Sequence, residues 1–320
     1  MTIHVIAPGT LTSVQDLGRF GHTHIGVGHA GAMDSVSLRL ANMLVGNDEN
    51  AAALEITLRG PTLRFDGDAL IAVAGGEVDA HDEMQAVPTW RPFYVRDGST
   101  MDIGHLRAGS RAYLAIRGGI AVASVLGSRS TDVNACLGPF GGRALIAGDM
   151  LPTASTSIPN MKNTAWSLDP SPWFDEHTDR PIALIPGSHF SHLDVDSQRE
   201  LFAREFHIDS QSNRVGYRLQ GHSLRLREPL ELISEGVVPG TVQLPPSGEP
   251  IVLMAEAPTT GGYPRIGHVA AVDLSRLAQR RPGQSVRFVE VSPHEAQTRY
   301  LHRERQLVAL RQSIIERLKT

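Results

Sequence analysis

The chain has 320 residues and a formal net charge of −4, from 30 lysine and arginine residues against 34 aspartate and glutamate residues. This length predicts about two domains, and the charge argues against a surface that follows nucleic-acid phosphates. Hydrophobic residues make up 41% of the chain, which excludes a disordered protein, and no apolar run is long enough to span a membrane. Cys136 is the single cysteine, which excludes an intrachain disulfide and a cysteine-rich metal site. The first residues lack a basic segment followed by an apolar one, so we expect a cytoplasmic protein.

Short β-branched segments separated by Gly, Pro and Asp indicate a mainly β chain with a few helices. The segments that we expect to form strands include residues 69–73, 111–116, 182–185 and 251–254. Their lengths are typical of strands in barrels or folded sheets.

Three helices are predicted from capping residues. Asp34 precedes an amphipathic segment that ends before a glycine, while Ser197 with Glu200 and Ser292 with Glu295 have the spacing of capping boxes. The third helix has an apolar stripe formed by Leu307, Leu310, Ile314 and Leu318. We expect this stripe to pack on its own chain, and a helix between subunits is the alternative.

Composition also predicts the domain boundaries. Residues 153–179 are rich in Ser, Thr, Pro and Asn and have no hydrophobic periodicity, which is typical of a linker. We therefore predict an N-terminal half at residues 1–152, a linker at 153–179, a C-terminal half at 180–291 and a C-terminal helix at 292–320.

Polar residues concentrate in Gly-containing segments at residues 13–19, 31–34, 127–131, 234–240 and 259–264. Glycine allows the backbone to approach a ligand, and the neighbouring Asp, Arg and Thr side chains can bind it through hydrogen bonds. The alternative is that each segment is a tight turn whose Asp or Ser caps its own backbone.

The ordered motifs are VQDLGR (14–19), GAMD (31–34), LRLAN (38–42), LVGN (44–47), GSRST (127–131), SEGVVPG (234–240) and TGGYP (260–264). Because these motifs occur in this order, the chain resembles the carboxyltransferase family of urea amidolyase over nearly its whole length. The resemblance implies two linked cyclophilin-like β-barrel domains.

By the same resemblance, these motifs line a cleft, which we expect the two halves to share. The residues implied to be catalytic are Asp16, Arg19, Arg129 and Glu235. Those implied to bind substrate are Asp34, Asn42, Ser130, Arg214, Tyr217, Gln243, Thr260 and Tyr263. The chain departs from the family pattern at Asn213, where an Asp is common, and at Glu256-Ala257-Pro258, which replaces Asp-Arg-Gln.

The resemblance implies that this chain is the C subunit of an ATP-dependent 5-oxoprolinase, which opens the 5-oxoproline lactam to glutamate. Arg19, Arg129 and Arg214 could stabilise the developing oxyanion and the substrate carboxylate, and Asp16 or Glu235 could orient water or move a proton. One alternative is a carboxyltransferase component that acts on urea or an amide with a biotinylated partner. Another is a non-catalytic, KipA-like antagonist of a kinase inhibitor.

Segments typical of ATP binding, biotin attachment and biotin carboxylation are missing, so the reaction requires partner chains. We expect a B-subunit-like (KipI-like) chain, an A-subunit-like chain and a small amide or lactam substrate, with neither nucleic acid nor membrane as a partner. ATP would act through the assembled complex, and biotin only if a partner supplied it. Lys162 lacks a biotin-acceptor context, and loop histidines 22, 24 and 29 do not predict a metal site.

Overall fold

The computed structural model describes residues 1–154, 166–173 and 180–319. The described residues form two compact units, with bounds Met1–Arg19, Ala30–Glu176 and Val308–Thr320 for unit 1 and Phe20–His29 and His177–Leu307 for unit 2. Most of the predicted linker, including Lys162, lies outside the described residues.

Unit 1 contains a curled eight-stranded sheet. Its strands are β1 (Thr2–Ala7), β2 (Leu11–Gln15), β3 (Ala53–Thr57), β4 (Thr62–Asp66), β5 (Ala69–Asp82), β6 (Phe93–Val95), β7 (Thr100–Ile116) and β8 (Met150–Pro152). They pair in the order β2-β3-β7-β4-β1-β8, and β5 pairs with both β6 and β7. Apolar side chains such as Leu54 and Leu114 form the core on one face. Because side chains alternate along a strand, Ser13, Glu55 and Tyr113 lie in register on the other face.

Unit 2 contains a closed seven-stranded barrel, in the order β10-β11-β14-β13-β16-β9-β17. The strands are β9 (Ile182–Pro186), β10 (Glu205–Ile208), β11 (Gly216–Gln220), β12 (Glu235–Gly236), β13 (Thr241–Gln243), β14 (Ile251–Leu253), β15 (Thr260–Gly261), β16 (Arg265–Val269) and β17 (Ser285–Glu290). Strands β12 and β15 form a separate two-stranded sheet. The predictions of a mainly β chain and of barrel-type domains are confirmed, with a closed barrel in unit 2 and a curled half-barrel sheet in unit 1. Strands form at all four predicted segments, and the last of them ends at Leu253.

The helices are α1 (Ser35–Leu44), α2 (Pro139–Gly142), α3 (Val195–Ala203), α4 (Ala271–Ala278) and α5 (Pro293–Lys319), with short 3-10 turns at Thr23–Ile25 and Phe190–His192. The cap of α1 is confirmed, since Asp34 Oδ1 accepts a hydrogen bond from Ser37 N at 3.0 Å. The capping box of α5 is confirmed as well. Ser292 N donates to Glu295 Oε2 at 2.9 Å, and Glu295 N donates to Ser292 Oγ at 3.2 Å.

The predicted start of the second helix is wrong. Asp194 caps α3 by accepting a hydrogen bond from Ser197 N at 2.7 Å, so the helix begins before Ser197. The Ser197 hydroxyl instead accepts a hydrogen bond from Arg225 N at 2.8 Å. Helix α4 was not predicted, because it is short and its N-cap, Ala270, has no capping side chain.

Of the predicted stripe on α5, Leu307 and Ile314 are almost fully buried, in agreement with packing on the chain itself.

Within residues 1–154, 166–173 and 180–319, no helix is both long and apolar enough to cross a membrane.

Candidate functional site

In unit 1, Asp16 organises the backbone around Arg129. This carboxylate is 2% exposed and accepts hydrogen bonds from Gly18 N at 2.9 Å, Ser128 Oγ at 2.6 Å, Ser130 Oγ at 2.5 Å and Arg129 N at 2.6 Å. A carboxylate with this many donors is held in one orientation. Asp16 therefore fixes the turn that carries Arg129.

Arg19 supports the same turn. Its side chain is almost fully buried, Nε donates to Val125 O at 3.2 Å, and the guanidinium also donates to Ser130 O. These carbonyl groups lie on either side of Arg129 in the sequence. Arg19 thus binds carbonyl groups of the turn backbone, and Asp16 binds its N–H groups.

The turn itself has an uncommon conformation. Val125 and Ser128 exchange backbone hydrogen bonds of 2.8 and 3.2 Å across a two-residue loop, in which Leu126 has φ 53° and Gly127 has φ 79°. Two positive φ values are typical of a type I′ turn, and they are unfavourable for leucine. Arg129 follows as an exposed residue whose Nε donates to Val122 O at 3.0 Å.

A second buried polar group lies at the GAMD motif. The Tyr113 hydroxyl donates to Glu55 Oε2 at 2.7 Å and accepts from Asp34 N at 2.8 Å, while Met33 N donates to Glu55 Oε2 at 2.8 Å. Burial, followed by the nearby carboxylates of Glu55 and Asp34, raises the pKa of Tyr113 well above its usual value. The tyrosine is therefore a neutral hydrogen-bond donor at physiological pH, and Arg111 Nε lies 3.8 Å from the other Glu55 oxygen.

Asn42 and Gly31 bring the remaining unit 1 motifs together. Asn42 Nδ2 donates to Ala51 O at 2.8 Å, and its Oδ1 accepts from Asn47 Nδ2 at 3.0 Å, which fixes the loop after α1. Gly31 has φ +90°, and a Cβ there would lie 2.9 Å from the Gly18 Cα. Only glycine allows this close approach of the two motif backbones.

In unit 2, Glu235 lies on β12 directly opposite Gly261 of β15. Its carboxylate forms an ion pair with the Arg265 guanidinium, whose Nη1 also donates to Gly236 O at 3.4 Å. The Glu235 side chain is 54% exposed, so this carboxylate is open to a ligand. Thr260, on β15, and Tyr263, two residues after the end of that strand, are also exposed.

Gln243 is buried below β15 and is 5% exposed. Its Nε2 has no hydrogen-bond partner among the described residues, and a Cβ at Gly261 would lie only 2.3 Å from this nitrogen. Gln243 is also the cross-strand neighbour of Arg265. The amide therefore packs against β15, close to the Glu235 ion pair.

Arg214 and Tyr217 have partners inside unit 2. Arg214 Nε donates to Glu256 Oε1 at 2.6 Å, and the Tyr217 hydroxyl donates to Ala278 O at 3.3 Å. Both side chains are buried. Of the three arginines that the sequence offered for substrate, Arg129 alone is exposed.

Sequence reasoning missed several residues of these groups, namely Glu55, Arg111, Tyr113, Glu256 and Arg265. Arg265 directly follows the TGGYP motif, and Glu256 lies in a segment that departs from the family pattern, so both positions offered a signal. The strand residues Arg111 and Tyr113 offered none. Among the described residues, no three His, Cys, Asp or Glu side chains are grouped closely enough to hold a metal ion.

Comparison with known proteins adds to this geometry. Residues 25–290 match a family model described as carboxyltransferase domain, subdomain A and B. The chain is 41% identical to the 5-oxoprolinase C subunit of Escherichia coli over 92% of this chain and 93% of that protein. It is 39% identical to the Haemophilus influenzae protein of the same name, over 92% and 93% of the two chains. The crystal structure of Kluyveromyces lactis urea amidolyase matches with a TM-score of 0.89 and 32% identity, over 96% of this chain and 20% of that one.

Proposed function

Because the chain belongs to the carboxyltransferase-domain family, we propose that it is the C subunit of an ATP-dependent 5-oxoprolinase complex. The observation that carries this proposal is the 41% identity to a 5-oxoprolinase C subunit along almost the full length of both chains. Similarity that covers more than nine-tenths of both chains favours the same role in a complex. The chain spans about a fifth of the urea amidolyase, so that larger enzyme supports the proposal less directly.

The proposed reaction is hydrolysis of the 5-oxoproline lactam to glutamate. Water adds its oxygen to the lactam carbonyl carbon, the carbon–nitrogen bond breaks, and the nitrogen gains a proton. The carbonyl oxygen becomes negative in the transition state, and the substrate also carries a carboxylate, so cationic donors favour the reaction. Arg129 in unit 1 is an exposed cation on a fixed turn, suited to bind such an anion.

Glu235 in unit 2 is the candidate for orienting water or moving a proton, because its carboxylate is accessible and is held by Arg265. Asp16, Arg19 and Ser130 support the Arg129 turn, and Arg214 supports unit 2 through Glu256. ATP and biotin are supplied through partner chains in this proposal, and no residue of this chain is assigned to hold either.

The proposal requires A- and B-subunit-like partners. We expect the purified chain to co-elute with the B-subunit-like chain of the same organism in size-exclusion chromatography at micromolar concentration. We also expect ATP-coupled 5-oxoproline turnover only when all three chains are present. Separate elution of the two chains, or full turnover without this chain, would reject the proposal.

Carboxyl transfer to urea or another amide is the second candidate, favoured by the TM-score of 0.89 to urea amidolyase. The two candidates differ in their requirement for a biotinylated partner. The intact mass of this chain after expression with biotin should be that of the bare polypeptide in both cases. Bicarbonate-dependent carboxylation of urea by the assembled complex, without 5-oxoproline turnover, would support the second candidate.

We also propose a cytoplasmic location. The chain uses only one cysteine, Cys136, and so has no intrachain disulfide, which is the usage typical of a reducing compartment. Fractionation of cells that express the native protein tests this location.

A further inference from the structure

His189 is bound to the backbone of Arg265 at two points. The His189 ring Nδ1 accepts a hydrogen bond from Arg265 N at 3.1 Å, and His189 N donates to Arg265 O at 3.0 Å. The Ser188 hydroxyl also lies 3.2 Å from this Nδ1. His189 therefore fixes the first residue of β16, which carries the guanidinium that pairs with Glu235.

The Arg265 guanidinium transmits this constraint to β12. One nitrogen pairs with the Glu235 carboxylate, and the other donates to Gly236 O at 3.4 Å. A continuous series of contacts thus leads from the His189 ring, through the backbone and side chain of Arg265, to the exposed carboxylate of Glu235.

The series depends on the protonation state of His189. Nδ1 can accept from Arg265 N only while it carries no proton, so the proton of the neutral ring is on Nε2. Burial, followed by the nearby charge of Arg265, lowers the pKa of His189 below its usual value; the neighbouring His192 ring also lowers it, while Glu235 raises it. The His192 ring centroid is 5.8 Å away. The net effect favours the neutral ring that the hydrogen bond needs.

We propose that His189 is a positioning residue, which holds Arg265 against Glu235 while its ring is neutral and releases this ion pair when the ring is protonated. Protonation places an N–H group on Nδ1, facing the N–H of Arg265, so the hydrogen bond is lost. It also adds a positive charge beside the Arg265 guanidinium. Acid therefore weakens the hold on the Glu235 carboxylate through its effect on His189.

Three variants test this role in the assembled complex, where the turnover readout depends on the function proposed above. His189→Ala removes the acceptor and should lower kcat by about 10- to 100-fold near neutral pH, with little change in KM. His189→Asn supplies an amide oxygen close to the position of Nδ1, and should restore most of this loss. It should also remove the fall in kcat between about pH 7 and pH 5. His207→Gln, an exposed histidine of the same unit, is the matched control and should behave as the wild type.

An NMR titration of the isolated chain gives a readout that does not depend on the proposed reaction. In the wild type, the Glu235 side-chain carboxyl carbon signal should shift with the same midpoint as the His189 ring. In His189→Asn this shift should be absent. If Glu235 does not respond to the His189 titration, or if His189→Ala retains the wild-type pH profile of kcat, the positioning role is wrong. A complex without 5-oxoproline turnover, but with the coupled NMR titration, would contradict only the proposed function.

Discussion

Arg214 and Glu256 form an ion pair of 2.6 Å whose side chains are only 6% and 1% exposed. Glu256 lies where the chain departs from the family pattern, and its carboxylate neutralises an arginine of the family's second-half motif. A buried charge is tolerated when its partner is present and is strongly destabilising when the partner is removed. Glu256, a departure from the family pattern, thus has a structural role in unit 2.

Replacing Glu256 with Gln should destabilise unit 2 by roughly 3–5 kcal/mol, because the Arg214 charge then remains buried without a carboxylate. Urea unfolding followed by circular dichroism measures this change. Glu249→Gln alters an exposed glutamate of the same unit and should leave stability almost unchanged. An equal stability of the two variants would show that the pair contributes little.

Replacing Asp16 with Asn should destabilise unit 1 by about 2–3 kcal/mol, because an amide NH2 group then faces buried N–H and O–H donors. Turnover of the assembled complex should fall as well, since the Arg129 turn loses its anchor. Asp79→Asn breaks an exposed ion pair with Arg107 and serves as the control. Normal thermal stability of Asp16→Asn would contradict the anchoring role.

Replacing Arg129 with Ala should lower kcat/KM for 5-oxoproline by about 10²-fold or more while the melting temperature stays unchanged. The guanidinium is exposed, so its loss leaves no buried group unsatisfied. The matched control is Arg107→Ala, another exposed arginine of unit 1. Should Arg129→Ala retain full activity, Arg129 has no role in catalysis.

Replacing Glu235 with Gln should also lower turnover by about 10²-fold, because the amide cannot accept a proton from water. Arg265→Ala separates this chemical role from the ion pair. If Glu235 only pairs with Arg265, the two variants should have the same activity. A much larger loss in Glu235→Gln supports a direct role of the carboxylate.

His268 predicts an acid-dependent loss of stability in unit 2. Burial lowers its pKa below the ordinary value of 6.5, so the unfolded chain binds the proton more tightly than the folded one. Stability should therefore fall as the pH decreases from 6.5 through the folded pKa, with no contribution from this group to the slope above that range. His268→Gln should reduce the slope of melting temperature against pH. An identical slope in both proteins would assign the acid sensitivity to other groups.

Much of the local structure follows from the sequence. Asp34 caps α1, and Ser292 with Glu295 caps α5, because each of these interactions joins groups three residues apart. Capping residues also predicted α3, but not its first residue, because Asp194 and Ser197 are both residue types that cap helices. In the structure Asp194 is the cap, and the Ser197 hydroxyl accepts a hydrogen bond from Arg225 N instead. Strand β7 extends well beyond its predicted segment, because its first half lacks the continuous apolar run of its buried end.

The sequence by itself determined the family, the mainly β class and the residue types of the motifs, because these depend on composition, order and short spacing. Only the tertiary structure decided how these residues are used. Asp16 meets Ser130 across 114 positions of the chain, and Glu235 meets Arg265 across 30. It also decided that Arg19 and Arg214 are buried while Arg129 is exposed. Such differences depend on which strands become neighbours in a sheet, and strand pairing over long separations has no local signal in the sequence.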